Sequence, residues 1–248
     1  MDDAASILSH SPQPSAHMLI ALDTTTEILH LALLQGDRVW ARRVLSGVGR
    51  GHSERLLPTL AELMTEAGAK PKDLSGVAAC LGPGGFTSLR IGVATAEGLG
   101  LTGLPTWGFS AFALRAESLR QGGETGPFWI LLDGQRGEAF HQRWAGGPTG
   151  PASKCPLPFL PTQIGVESWW APEAFAARVT AVLPDHRLTL PNEGAATLAG
   201  LVALARRVSL GPPEAPLVPF YLRETDAEVN FPLAAAQLSE ALRKGVAR

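Results

Sequence analysis

The stretch LGPGGFTSLRIG, residues 81–92, decides how the rest of the chain is read. A glycine- and proline-rich turn runs directly into a helix start. Such a turn collects unpaired backbone N–H groups at the positive end of a helix dipole, which makes a ready anion site. The same glycines also serve where one backbone must approach another closely, with Thr87 or Ser88 capping the next helix. The loop lacks the G-K-[ST] ending of a P-loop and the spacing of a dinucleotide fingerprint, and no lysine stands near it. On the residues alone both uses stay open.

Upstream, MLIALDT (18–24) reads as a buried strand ending in a turn. ILHLALLQGDRVWARRVL (28–45) reads as a hairpin bending at Gln35, Gly36 and Asp37. In SERLLPTLAELMTEAG (53–68) Ser53 is the expected cap and Gly68 the expected end of a helix. Leu56, Leu57, Leu60, Leu63, Met64 and Ala67 fall on one face of it. LSGVAACLG (74–82) is a second buried strand. After the glycine loop a helix is expected over 87–102, with Leu89, Val93, Ala96 and Leu99 apolar.

The order restarts near Pro127. PFWILLDGQRGEAFHQRWAGG (127–147) repeats strand, aspartate, turn and returning strand. Asp23 and Asp133 take matching places, with Glu27 and Glu138 behind them. Because each half opens with a hairpin, two related α/β halves fit better than one doubly wound sheet. Residues 146–161 read as a surface loop, 172–183 and 192–208 as helices, FYLRE (220–224) as a strand or arm, and the tail from Pro232 as a last amphipathic helix. The divisions are therefore a disordered extension over 1–17, halves over 18–105 and 106–210, and a terminal segment over 211–248. Asp2 and Asp3 stand where a secretory signal carries basic residues, and Met18 is a candidate start.

The 248 residues are 45% apolar, enough for one large domain or two small ones. A net charge of −2 gives no basic field to attract nucleic acid directly. Only 18% of residues are charged, which suggests that part of the surface is covered by another protein. Cys80 and Cys155 lie far apart, the pattern of a reducing compartment, with Cys80 a small buried residue at a strand end. No run of about 18 uncharged apolar residues marks a membrane span.

Asp23, in LDTTTE (22–27), stands where actin-like ATPases place an aspartate against phosphate. The turn is Thr24-Thr25-Thr26, however, and a Cβ keeps backbone further from a phosphate than glycine does. No two of His10, His17, His30, His52, His141 and His186 have metal-ligand spacing, and no G-x-S-x-G is present. Arg90, the Trp169-Trp170 pair and Tyr221-Leu222-Arg223 read more simply as surface, packing and arm residues than as ligand contacts.

LIALDTTTE, HSERLLPTLAELM, GPGGFTSLRIGVATAEGLG, LLDGQRGE and PFYLR together resemble the bacterial TsaB (YeaZ) family from Met18 to about Arg223. The family's usual GPGSFTGLRIG carries Gly85 and Ser88 here in place of serine and glycine, and its DARRGE is DGQRGE, so no role is carried to that turn. The resemblance implies an actin-like/RNase H-like (ASKHA) α/β fold of two related subdomains with mixed sheets and flanking helices. It implies a cytoplasmic, non-catalytic subunit without a cofactor, paired with a TsaD-like catalytic paralogue and a TsaE-like ATPase. That assembly forms threonylcarbamoyladenosine beside the anticodon of tRNAs reading ANN codons. Contact with tRNA would be indirect, and the chain alone could form a homodimer.

TsaD-like sequences carry an H-x-x-x-H metal pair after the helix that follows the glycine loop. Here WGFSAFALRAESLR (107–120) has no histidine. The resemblance thus implies a degenerate phosphate loop of Asp23, Thr24, Thr25, Gly82, Gly84, Gly85 and Thr87. It places the partner surface on the first two helices, with Leu56, Leu60, Leu63, Met64, Leu89, Val93, Ala96 and Leu99 as candidates, although part of that stripe must cover the chain's own sheet. The alternative is a self-acting ATPase or glycoprotease-like enzyme.

Overall fold

A computed structural model of the chain describes residues 17–48, 51–183 and 186–223. Most of the expected extension and the expected terminal helix lie outside the described residues. The first sheet is built from β1 (Met18–Asp23), β2 (Leu29–Gln35), β3 (Arg38–Leu45), β4 (Leu74–Cys80) and β5 (Thr106–Phe109), in the order β3-β2-β1-β4-β5. The hairpins pair antiparallel, whereas β1–β4 and β4–β5 pair parallel. The second sheet joins β6 (Phe128–Gln135), β7 (Glu138–Trp144), β8 (Ser153–Pro156) and β9 (Trp169–Trp170) in the order β8-β7-β6-β9. Its antiparallel β6–β7–β8 and parallel β6–β9 reproduce the first four positions of the first sheet. This doubled mixed topology gives the two related α/β subdomains with mixed sheets and flanking helices that the resemblance implies.

Helices α1 (His52–Glu66), α2 (Phe86–Gly100), α3 (Ala111–Gln121), α4 (Leu160–Ile164), α5 (Glu173–Thr180) and α6 (Glu193–Val208) complete the layers. Strand alternation distributes them, since successive side chains point to opposite faces. Ile20 and Leu22 of β1 and Leu29, Leu31 and Leu33 of β2 meet Leu56, Leu60, Leu63, Leu89, Val93 and Ala96 of α1 and α2. Leu19, Ala21, Ala32 and Leu34 point the other way, into a core shared with α3, α6 and Phe128, Ile130, Leu132 and Trp170 of the second sheet. Leu131, Ala139 and Trp169 face outward again onto α4 and α5. The result is five layers, with α3 and α6 between the sheets.

Several expectations change. The candidate interface residues Leu56, Leu60, Leu63, Leu89, Val93 and Ala96 are buried core, at most 5% exposed, and Met64 and Leu99 are half-buried against them. A helix on a sheet spends its apolar stripe on that sheet. The caps of α1 and α2 are Gly51 and Gly85, without side-chain bonds, rather than Ser53 and Thr87 or Ser88. The Ser88 hydroxyl instead donates to the Gly85 carbonyl at 3.0 Å. Residues 146–161 are not simply loop, because they supply β8, which buries Cys155 against Ala139. A division after residue 105 separates β5 from its own sheet. Among the described residues no helix is long and apolar enough to cross a membrane.

Candidate functional site

The site gathers where β1 ends. Alternation places Asp23 on the inner face, toward α3, and it is fully buried. Its Oδ1 accepts from the Thr25 amide at 2.9 Å and the Thr25 hydroxyl at 2.6 Å, an Asx turn that fixes the chain direction. Its Oδ2 accepts from both Nη groups of Arg115, each at 3.1 Å. Arg115 comes from α3, which starts at a true cap, the Ser110 hydroxyl accepting from the Ala113 amide. Burial works to raise the Asp23 carboxyl, but Arg115 and the Thr25 bonds outweigh it and hold the group below the usual carboxylate range.

His30, opposite Asp23 in the β1–β2 register, brings Nδ1 within 3.7 Å of Oδ2. Desolvation pushes it down to about 4 despite the carboxylate, so it is neutral at pH 7 and Arg115 carries the balancing charge. Cys80, at the end of β4, is buried as the sequence suggests; burial and the Asp23 charge push its thiol up and keep it unreactive.

The glycine loop closes over this turn. The Gly85 amide donates to the Thr25 carbonyl at 2.9 Å, and the Thr24 hydroxyl donates to the Ser88 carbonyl at 2.8 Å. A Cβ at Gly84 would collide with the Thr25 carbonyl, and one at Gly92 with the Thr24 hydroxyl. Close backbone approach is therefore what these glycines provide, with the threonine turn occupying the space beside them. Gly82 has φ +100°, and its carbonyl takes the Ala111 amide at 2.6 Å. Thr87 stands exposed on the first turn of α2.

Asp23, Thr24, Thr25, Gly84 and Gly85 thus come together as the sequence suggests, whereas Arg115 and His30 were not singled out there. An arginine amid the apolar residues of AFALRAESL, and a histidine in the otherwise apolar β2, were the available signals. The second half repeats the device: Asp133 Oδ1 accepts from the Gln135 amide at 2.8 Å, and Oδ2 from Arg178 of α5 at 2.9 Å. Among the described residues no group of three or more His, Cys, Asp or Glu side chains converges as a metal site.

Gly92→Ala should cost about 1–3 kcal/mol in chemical denaturation, the usual range for overpacking. Adding Thr24→Gly should recover part of the loss, and an unaltered midpoint for the single variant would contradict the close approach.

Acid stability should carry the mark of His30. Its unfolded pKa is near 6.5 and its folded value near 4, so between those values the unfolded chain binds the extra proton and stability falls with pH. The full effect is roughly 3 kcal/mol, reached near pH 4. His30→Gln should flatten denaturation midpoints across that window, leaving the smaller contribution of His141, which burial also lowers. An unchanged slope would show that His30 is not the titrating group.

Residues 46–146 match the family model of TsaD, tRNA N6-adenosine threonylcarbamoyltransferase. An uncharacterized Mycobacterium tuberculosis protein is 31% identical over 216 residues, covering 85% of this chain and 93% of its own length. The Escherichia coli tRNA threonylcarbamoyladenosine biosynthesis protein TsaB is 34% identical over 129 residues, 51% of this chain and 53% of that protein. The solved structure of YeaZ from Pseudomonas aeruginosa superposes with a TM-score of 0.66 at 25% identity, covering 83% of this chain and all of that one. The chain belongs to the TsaB/YeaZ family. In this TsaB/YeaZ member the doubled aspartate–arginine turns mark the two halves, and the threonine turn fills the first of them.

Proposed function

We propose that the chain is a non-catalytic subunit of the machinery that forms threonylcarbamoyladenosine in tRNA, binding and activating a TsaD-like transferase. The sealed Asp23 turn carries this reading: its carboxylate is satisfied by Thr25 and Arg115 and has no face left for a nucleotide phosphate or its cation. TsaB-named relatives support the process, and the low charge content supports a covered surface. An ATPase or glycoprotease acting alone would need that turn open. A TsaE-like ATPase completes the cytoplasmic assembly, tRNA is reached through the partner, and a homodimer would use the same face in the partner's absence.

With the inner stripes of α1 and α2 committed to the core, the partner must meet their outer sides. The two helices lie side by side. Leu57 is 55% exposed on α1, Leu101 is 91% exposed at the end of α2, and Ala61, Ala94 and Gly98 are small and exposed. Small residues allow close helix approach, and exposed leucines anchor it.

The test is co-purification with the cell's TsaD-like protein and a TsaE-like ATPase, followed by a tRNA modification assay. Leu57→Glu should weaken the complex about tenfold or more with an unchanged melting temperature. Absence of any complex, or ATP hydrolysis by the lone chain, would sink this reading.

A further inference from the structure

The segment 217–223 has no regular secondary structure, yet specific bonds hold it along its length. The Leu217 amide donates to Glu97 of α2 at 2.7 Å, and its side chain is buried in the α1–α2 core. The Phe220 amide donates to the Leu81 carbonyl at 2.6 Å, and a Cβ on Gly82 would come within 2.9 Å of the Phe220 carbonyl. Tyr221 then sits at the first turn of α2. Its hydroxyl accepts from Arg90 Nε at 2.9 Å, its ring meets Phe86 with centroids 5.5 Å apart, and the Arg90 guanidinium lies 3.8 Å over the Phe86 ring. Two residues on, Arg223 Nη1 donates to the Gly134 carbonyl at 3.2 Å, beside Asp133 in the second half.

One short segment therefore touches the glycine loop, the first turn of α2 and the aspartate turn of the other half. A short segment anchored at both ends transmits displacement, because only one residue, Leu222, separates the Tyr221 contacts from the Arg223 contact, and a residue spans at most about 3.3–3.6 Å. We propose that residues 217–223 are a strap that couples the Asp133 turn to the first turn of α2, and so tunes how α2 is presented to a partner. The last step rests on the functional reading above; the coupling itself does not. The Gly134 carbonyl, in the turn that Asp133 and Arg178 hold, grips one end through Arg223, the Phe86–Arg90–Tyr221 cluster grips the other, and a change at either end reaches the other through the main chain.

Hydrogen exchange on the full chain tests the coupling. Tyr221→Phe cuts the Arg90 bond while keeping the ring against Phe86. It should speed exchange roughly tenfold at the Gln135 amide, which it does not touch. Arg223→Ala should do the same at the Leu89 and Phe220 amides, and should weaken the TsaD-like partner roughly tenfold although Arg223 lies off the outer face of α1 and α2. Should Tyr221→Phe lower the melting temperature, Arg90→Gln removes the same bond from the helix surface, together with the guanidinium over Phe86. Changes confined to the cut end overturn the strap, and coupled exchange with unchanged partner affinity overturns its control of docking. A wild-type chain that binds no partner yet shows coupled exchange overturns the functional reading and leaves the strap standing.

Discussion

Arg115→Leu loses about 3–5 kcal/mol of stability, the usual cost of leaving one member of a buried ion pair behind. For a chain of this size that is a fall of roughly 10 °C in melting temperature. The residue is 2% exposed and both its Nη groups end on Asp23, so solvent cannot replace what the guanidinium supplies. Adding Asp23→Leu should bring the double variant closer to wild type than additivity allows, because the isolated charge is gone. Recovery stays incomplete, since Asp23 also ties down the Thr25 amide and hydroxyl. The wild-type carboxyl is held below its unfolded value, so its contribution is present above pH 3.8 and disappears as pH falls through the folded value. Without Arg115 the charged carboxyl loses the strongest influence that holds it down, its folded value moves up toward the unfolded one, and this acid-side contribution shrinks. A single variant as stable as wild type would show that the pair is dispensable.

Leu60→Glu is expected to abolish folding of the monomer. Loss of a buried leucine alone costs roughly 2–5 kcal/mol, and the carboxylate would have no partner among Leu22, Leu31 and Leu63 of the same core. Circular dichroism of the isolated chain decides the matter, and a folded Leu60→Glu protein would mean that α1 turns another face to its sheet. Leu57→Glu, three residues earlier, is the matched control, because its side chain points into solvent.

The strands and hairpins were legible because alternation and turn residues are local signals: the two-residue turn at Gly36 and Asp37 and the repeat at Asp133 stand where the pattern put them. Helix α6 is equally plain in the apolar pattern of 192–208, and the structure adds Asn192 as its cap. The candidate partner residues were misplaced for a physical reason. Leu56 and Leu57 are adjacent and equally apolar, yet one is in the core and the other exposed, and only the sheet they pack on distinguishes them. The Asp23–Arg115 pair joins residues 92 positions apart, a separation at which sequence pattern carries no spacing rule. Strand β5 is not legible in the sequence because four residues with a central glycine show too little alternation.

The layer of α3 and α6 belongs to neither sheet. Phe112, Leu114, Leu201 and Ala205 have no exposed face, and the core they occupy is walled by Ala21 and Leu34 on one side and by Ile130 and Trp170 on the other. If either sheet is removed, that layer exposes a continuous apolar surface, so neither half is expected to be stable by itself. Unfolding is thus expected to be a single cooperative transition, with equal calorimetric and van't Hoff enthalpies. Cutting the gene between the two hairpins would yield fragments that must find one another before either folds. The duplication is visible in the strand order, while the core the two copies share predicts that they melt as one unit.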